Sequence, residues 1–312
     1  MTETGPAVAV PLNGFVLIDK PSGLTSQQVV SRAKRFLGVR KAGHAGTLDP
    51  EATGLMIVGV GRGTRLLGYL SGHDKRYQAT IRLGQATTTD DAVGEPIGTP
   101  VDACGLATAE IVAAMARFTG QIDQVPSAVS AVKVAGRRAY ALVRAGEEVE
   151  LAARTVTVTR FDLDDRRDQA PWCDLDVTVD CSSGTYIRAL ARDLGQALGV
   201  GGHVTSLRRI TVGDLDVADA VVLEDLSGEQ VHDLAEMAAL VAPCVEVADS
   251  QARDLAHGRT IDLPLDTLTA VFAQGALISL CRPDPDQPGR ARPCTVFVDS
   301  ADASSPDLES EI

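Results

Sequence analysis

The sequence has no run of consecutive apolar residues that approaches the roughly 20 needed for an α-helix to cross a bilayer. Its first ten residues, MTETGPAVAV, contain one acidic residue and no basic one before the apolar stretch, which is unlike a secretory signal. We therefore expect a cytoplasmic protein that makes no membrane contact. With 312 residues and 45% hydrophobic content, the chain can form one large domain or one large and one small domain.

Cysteine and histidine are also scarce, at 6 and 5 residues. No two cysteines have the Cys-x-x-Cys spacing of a zinc site, and the histidines are scattered. The cysteine density is too low for a small fold held together by disulfides. We expect no metal.

Basic residues are in deficit, since 29 Lys and Arg against 42 Asp and Glu leave a formal net charge of -13. The deficit is uneven, because residues 1–82 contain 11 basic and 5 acidic side chains, whereas residues 213–312 contain 5 and 20. This asymmetry allows a basic working surface at the front of the chain. On the first predicted helix, Arg32, Lys34 and Arg35 form either a solvated face or a set of RNA phosphate contacts.

The spacing of apolar residues predicts strands and helices in mixed order without a regular βαβ repeat, which indicates a mixed α+β sheet. The predicted elements are a strand at 15–18, a helix capped by Thr25 or Ser26, a loop at 39–54, a buried strand at 55–61, alternating strands at 77–84 and 174–182, and helices at 108–118, after Gly136 and after a Thr185 cap.

Composition changes near residue 242, after which short apolar strands alternate with turn-rich segments. We predict a flexible tail at 1–12, a main domain at 13–241, a small β-rich domain at 242–299 and a disordered acidic tail at 300–312.

The loop GHAGTLDPEATG has more unusual features than any other stretch. Its glycines allow close approach of the backbone to a ligand, and Pro50 favours an extended conformation at Asp49. The Asp49 carboxylate would then lie at a rigid corner just before a buried strand. Two other interpretations stay open: Asp49 hydrogen-bonds its own turn, or Asp49 and His44 are metal ligands, although no third ligand is close in sequence.

Arg188 lies in the first turn of its predicted helix, where the helix dipole disfavours a cation. An anionic partner would explain its position, and both Asp49 and an RNA phosphate are candidates. Tyr77 and Tyr186 are two of only 4 tyrosines, and they either fill the core or stack on an extruded base.

Several motifs together resemble the bacterial tRNA pseudouridine-55 synthases, the TruB family. They span residues 14–212 in the order DKPSGLTS, GHAGTLDPEATG, YQATIRLGQATTTDDAVG, SAVKVAGRRAYALVRAG, CSSGTYIRALARDLG and HVTSLRRI. The resemblance implies a pseudouridine synthase fold, with a mixed, largely antiparallel central sheet flanked by helices and a small β-rich PUA-like C-terminal domain. It also implies isomerisation of uridine 55 in the T-arm loop of tRNA after the base is flipped out, without a cofactor.

The same resemblance implies roles for individual residues. Asp49 matches the family's catalytic nucleophile, and Arg188 matches the arginine that pairs with it. Tyr77 matches the tyrosine that stacks on the target base, and Tyr186 and Leu207 match residues that line the pocket. His44 matches the histidine that occupies the space left by flipped bases, and Lys20 matches a lysine that supports the site.

Two further hypotheses remain at this point. The protein could be a tRNA-folding chaperone that binds the T-arm without catalysis, or a metal-dependent hydrolase using His44, Asp49 and a distant acid. We expect tRNA as the partner, a monomer, and tRNA binding that weakens steeply with salt.

Overall fold

A computed structural model of the protein describes four segments, residues 12–128, 133–134, 137–138 and 151–298. The two predicted tails lie outside these residues apart from Leu12, and the predicted helix after Gly136 lies outside them apart from residues 137–138, which form a short strand instead. None of the described helices is both long and apolar enough to cross a membrane.

Six α-helices occur in the described residues: α1 (Ser26–Phe36), α2 (Leu67–Leu70), α3 (Thr108–Ala116), α4 (Ile187–Ala197), α5 (Leu234–Ala239) and α6 (Asp249–Ala256). The start of α1 is confirmed, because the Thr25 hydroxyl accepts a hydrogen bond from the Gln28 N–H and the Gln28 side chain accepts one from the Thr25 N–H. Such a capping box satisfies two N–H groups that the helix leaves open.

The prediction that Thr185 caps α4 is wrong. The cap is Tyr186, which makes no side-chain capping bond, and the Thr185 hydroxyl donates to the Ser182 carbonyl at 2.9 Å. Gln124, on a distant strand, holds the helix start instead. Its side-chain oxygen accepts from the Tyr186 N–H at 2.8 Å, and its amide nitrogen donates to the Tyr186 carbonyl at 3.1 Å.

The described strands are β1 (Gly14–Lys20), β2 (Ala42–Ala45), β3 (Thr53–Val60), β4 (Lys75–Leu83), β5 (Ala86–Thr87), β6 (Pro96–Ile97), β7 (Gly120–Gln124), β8 (Lys133–Val134), β9 (Arg137–Arg138), β10 (Arg154–Gln169), β11 (Trp172–Cys181), β12 (Gly202–Val212), β13 (Leu215–Asp216), β14 (Val221–Val222), β15 (Cys244–Glu246), β16 (Ile261–Asp262), β17 (Thr269–Ala273), β18 (Ala276–Pro283) and β19 (Arg290–Val296).

The central sheet has ten strands in the order β14-β1-β3-β12-β4-β11-β10-β7, with β13 paired to β12 and β2 paired to β3. Only the β1–β14 and β3–β12 pairs are parallel. This arrangement confirms the mixed, largely antiparallel sheet. It also corrects the loop predicted at 39–54, because β2 lies inside that range and pairs with β3 over four residues.

Alternation places Tyr77 on the buried face of β4, as predicted. Its burial alternates along the strand with that of Arg76 and Gln78, which are exposed. The buried face packs against α3 and α4 in one apolar cluster that includes Leu175, Ile111 and Leu194. The face of β4 that carries Tyr77 therefore packs on an apolar core that two helices share.

The five strands β15 to β19 form a second sheet in the order β15-β17-β18-β19-β16, which confirms a small β-rich C-terminal part. The helix α6 was not predicted there. This sheet shares an apolar cluster with α2, in which Leu67 and Leu70 pack with Phe272 and Phe297. The cluster contains side chains of the central sheet and of the C-terminal sheet. These contacts hold α2 in place, and the cavity described below reaches its C-terminal end at Ser71.

Candidate active site

A cavity of about 270 Å³ lies between β4, β12, the start of α4 and the loop that precedes β3. It is lined by five residues that the sequence predicts for the site, namely Asp49, Tyr77, Tyr186, Arg188 and Leu207. These positions come from four separate segments of the chain. The fold therefore brings together residues that are up to 158 positions apart in sequence.

The backbone around Asp49 is held on both sides. On the N-terminal side, the Ser26 hydroxyl donates to the Leu48 carbonyl at 3.0 Å and accepts from the Leu48 N–H at 2.9 Å. On the C-terminal side, the Asp49 carbonyl accepts from the Ala52 N–H at 3.2 Å. The rigid corner expected from the sequence is therefore present, although the Asp49 carboxylate is turned toward the cavity.

Lys20 ties this corner to the end of β1. Its ammonium group, on a fully buried residue, donates to the carbonyls of Pro21, Pro50 and Ala52 at 2.9, 2.8 and 2.6 Å. Burial lowers the pKa of Lys20 to about 8, although the nearby carboxylates of Glu51 and Asp49 oppose that shift. Lys20 does not line the cavity, so its contacts place it in support of the Asp49 backbone.

Arg188 grips the Asp49 carboxylate with two donors. Its Nε lies 2.9 Å from Asp49 Oδ2, and its Nη2 donates to Asp49 Oδ1 at 3.2 Å. The remaining nitrogen, Nη1, donates to the Thr89 carbonyl at 2.9 Å and to Asp91 Oδ2 at 3.2 Å. Because the Arg188 side chain is only 5% exposed, its orientation is set by these contacts rather than by solvent.

The environment of Asp49 acts on its charge in two directions. Burial raises the pKa of Asp49 above the ordinary 3.8, the Arg188 guanidinium opposes this rise, and the Asp91 carboxylate adds to it. The side chain is nevertheless 40% exposed, so a substrate can reach the carboxylate from the cavity. A carboxylate paired with arginine and open on one side suits a group that reacts in its ionised form.

Tyr77 faces the cavity beside a buried cation. Tyr77 and Arg209 are directly opposite each other across β4 and β12, and the Arg209 guanidinium acts electrostatically on the Tyr77 hydroxyl. Burial raises the pKa of Tyr77, although Arg209 opposes this shift, so the phenol is neutral near pH 7. The ring is 8% exposed and forms part of the cavity wall.

Tyr186 and Leu207 complete the apolar part of the wall. Tyr186 is half-buried at the start of α4, where Gln124 fixes its backbone. Leu207 is half-buried on β12 opposite Ala79 of β4. Two aromatic rings and an aliphatic side chain in the same wall as charged groups suit a flat, partly polar ring as the ligand.

Comparison with known proteins identifies the family. Residues 34–187 match the model of the TruB family pseudouridylate synthase N-terminal domain, and residues 188–248 and 243–298 match two models of TruB C-terminal domains. The tRNA pseudouridine synthase B of Cutibacterium acnes is 50% identical over 291 residues, which cover 92% of this chain and 98% of that protein. The chain belongs to the TruB family.

Other TruB family members are similarly close. The tRNA pseudouridine synthase B of an Arthrobacter species is 48% identical over 303 residues, covering 93% of this chain and 98% of that protein. Among solved structures, a chain of a Cbf5-Nop10-Gar1 complex superposes with a TM-score of 0.70 at 23% identity, over 97% of this chain and 93% of that one. That likeness confirms the pseudouridine synthase fold, and family membership makes the protein a pseudouridylate synthase, an isomerase.

His44 is the one site residue named from the sequence, besides Lys20, that does not line the cavity. It lies on β2 opposite Val58 of β3 and is half-buried, five residues before Asp49. Among the described residues, no group of three or more His, Cys, Asp and Glu side chains is arranged to hold a metal ion. The interpretation of His44 and Asp49 as metal ligands therefore lacks a third ligand in this part of the chain.

Sequence reasoning missed three charged residues of the site: Lys75, Asp91 and Arg209. A signal was present for Arg209, because it lies two positions after Leu207 and must share its face if both are on one strand. Lys75 likewise lies two positions before Tyr77 on β4. Asp91 is within the TTTDDAVG motif, but its pairing with Arg188 depends on a contact across 97 residues of sequence.

Proposed function

We propose that this protein converts uridine 55 in the T-arm loop of tRNA to pseudouridine, with Asp49 as the essential carboxylate. The single observation that supports this proposal best is the Asp49–Arg188 pair, held at 2.9 Å in a cavity walled by Tyr77 and Tyr186. The substrate is inferred from the TruB relatives, which are named tRNA pseudouridine synthase B.

The reaction is an isomerisation. The bond from N1 of uracil to C1′ of ribose breaks, the base turns, a bond from C5 to C1′ forms, and the C5 proton leaves as N1 gains one. Atoms and electrons balance without an oxidant, a reductant or a cofactor. Asp49 can add to the ribose, add to the base or remove a ribose proton, and each of these steps requires the ionised carboxylate.

The target uridine must leave its stack to reach Asp49. Flipping a base costs a few kcal/mol, which contacts within a pocket offset. We assign Tyr77, Tyr186 and Leu207 to those contacts, since their side chains form the wall that a flipped base would meet. We assign His44, on the neighbouring strand β2, to the space that the base leaves in the RNA.

We place the enzyme in the cytoplasm, where all 6 cysteines would remain the free thiols found in the fold. We also place the boundary between the catalytic and the PUA-like domain near residue 242, between the end of α5 at Ala239 and the start of β15 at Cys244. The basic residues of segment 1–82 are assigned to phosphate contacts with the RNA.

The test uses unmodified tRNA with tritium at C5 of uridine. Isomerisation at C5 releases the label to water, and mapping of the product should place pseudouridine at position 55. A folded protein that binds tRNA but releases no tritium would instead be the tRNA-folding chaperone. Label release with the modification mapped outside the T-arm would contradict the proposed substrate position.

A further inference from the structure

Two buried cations besides Arg188 belong to the cavity wall. Lys75 lies on β4 and Arg209 on β12, and they are 8% and 0% exposed. Both line the cavity. A Cβ added to Gly46 would lie 3.3 Å from Arg209 Nη1 and 3.8 Å from Lys75 Cε, so both cations approach the same point of the wall.

Neither cation forms an ion pair with a carboxylate in the described part of the chain. Lys75 donates to the carbonyls of Ser71 and His73 at 3.1 and 2.5 Å, and Arg209 donates to those of Leu55 and Gly46 at 2.7 and 3.2 Å. The neighbouring Arg208 has a carboxylate partner, since it grips Asp19 with two donors at 2.9 and 2.7 Å.

Buried charges without a counter-ion are costly, and a fold retains them where an anion forms or binds. An ammonium group has three donors and a guanidinium has five. After these carbonyl contacts, Lys75 keeps one donor and Arg209 keeps three. The remaining donors are available to acceptor atoms inside the cavity.

The proposed reaction creates negative charge on the uracil ring. If the N1–C1′ bond breaks first, the electron pair stays on the base and spreads to its carbonyl oxygens. If Asp49 adds to the base, the electron pair moves into an enolate at a carbonyl oxygen. Each of these routes places negative charge on the carbonyl oxygens of uracil. Hydrogen-bond donors held in fixed positions near those oxygens would lower the activation free energy of the isomerisation.

We propose that Lys75 and Arg209 form a cationic site for the carbonyl oxygens of the flipped uracil and stabilise the anionic base while it is detached. The inference rests on the proposed function, since it takes uracil in tRNA as the substrate. It gives Lys75 a direct role in the chemistry, in addition to its contacts with the turn between α2 and β4.

A change of Lys75 to methionine tests the proposal. Its single-turnover rate of pseudouridine formation should fall about a hundredfold, the loss typical for one oxyanion donor. Its affinity for tRNA, measured in an Asp49→Asn background, should change by less than about threefold. The matched control is Arg259→Met, which removes a cation from a side chain that is 70% exposed in the C-terminal part and should leave the rate unchanged.

The charge of Lys75 gives a second, independent readout. Burial lowers the pKa of Lys75 to about 8, Arg209 on β12 adds to this shift, and Cys181 on β11 and Asp74 next to Lys75 oppose it. If the charged form is required, the wild-type rate falls as the pH rises through about 8. Lys75→Arg stays charged and should keep its rate to higher pH. Lys20, whose pKa is also about 8, is present in both proteins, so the difference reports Lys75.

Three results would overturn the inference. They are a folded Lys75→Met variant with a rate within about threefold of wild type, a loss confined to tRNA affinity, and a Lys75→Arg variant whose rate falls above pH 8 as the wild type does. In each case wild-type conversion of uridine would leave the proposed function standing, whereas a wild type that does not convert uridine would refute that function instead. If Lys75→Met does not fold, the Lys75→Arg profile decides alone.

Discussion

Replacement of Arg188 by lysine separates the charge of this residue from the shape of its guanidinium. The arginine donates to both oxygens of Asp49 with Nε and Nη2, while Nη1 reaches the Thr89 carbonyl and Asp91. A lysine ammonium is a single point and cannot span Asp49 and Asp91 with the same geometry. The variant therefore keeps the positive charge and loses at least two of the four contacts.

The expected loss follows from those contacts. A hydrogen bond to a charged group contributes about 1.5 to 3 kcal/mol, and the lower value applies here because water reaches Asp49, whose side chain is 40% exposed. Two lost bonds then amount to about 3 kcal/mol, which is on the order of a hundredfold in rate.

The measurement is the single-turnover rate of pseudouridine formation as a function of pH. Burial raises the pKa of Asp49 and Arg188 opposes that rise. The ionised carboxylate is needed, so the wild-type rate is lost as the pH falls through this raised pKa. A less well placed cation opposes the rise less, so the acid limb of Arg188→Lys should lie at higher pH than that of the wild type.

The matched control is Arg192→Lys, one turn further along α4. Arg192 pairs with Asp90 and Asp193 and does not line the cavity, so this variant should retain its rate. Arg188→Lys with the rate and acid limb of the wild type would refute the reasoning. So would a variant that binds tRNA poorly but converts bound tRNA at the normal rate.

Four further outcomes are expected. Tyr77→Phe keeps the ring and should bind tRNA normally, but it should convert uridine more slowly in single-turnover assays, because the cavity wall loses the hydroxyl on which the Arg209 cation acts. Gly54→Ala should lower the free energy of unfolding in urea by about 3 kcal/mol, since Gly54 has φ +98° and the new Cβ would lie 2.2 Å from the Arg209 carbonyl oxygen; an unchanged midpoint would contradict this. Thr25→Ala should lower that free energy by about 1 kcal/mol through the lost cap and leave the rate per folded molecule unchanged. Binding of tRNA should weaken steeply between low and moderate salt, and a flat dependence would show that phosphate contacts contribute little.

The parts of the fold that depend on local pattern could be predicted from the sequence. Alternation along β4 places Tyr77 on the buried face, and the Thr25 cap of α1 follows from neighbouring residues. The position of Arg188 at the start of a helix indicates an anionic partner, and Asp49 is that partner in the structure.

The parts that depend on pairing between distant segments could not be predicted. The start of α4 is held by Gln124, which lies 62 residues away in sequence, rather than by a residue of the helix itself. Arg208 and Arg209 form one basic doublet in sequence, yet one is half-buried against Asp19 and the other is fully buried in the cavity wall. Alternation along β12 turns the two side chains to opposite faces, but what each face meets depends on the pairing of β12 with β3 and β4.

The central claim is that the Asp49 carboxylate performs the chemistry, and Asp49→Asn tests it most directly. Asparagine has nearly the same shape and cannot ionise, so the variant should bind tRNA with nearly the wild-type affinity and release no tritium from C5-labelled uridine in a single turnover. Conversion of uridine by a pure Asp49→Asn protein, at a rate close to that of the wild type, would contradict the account.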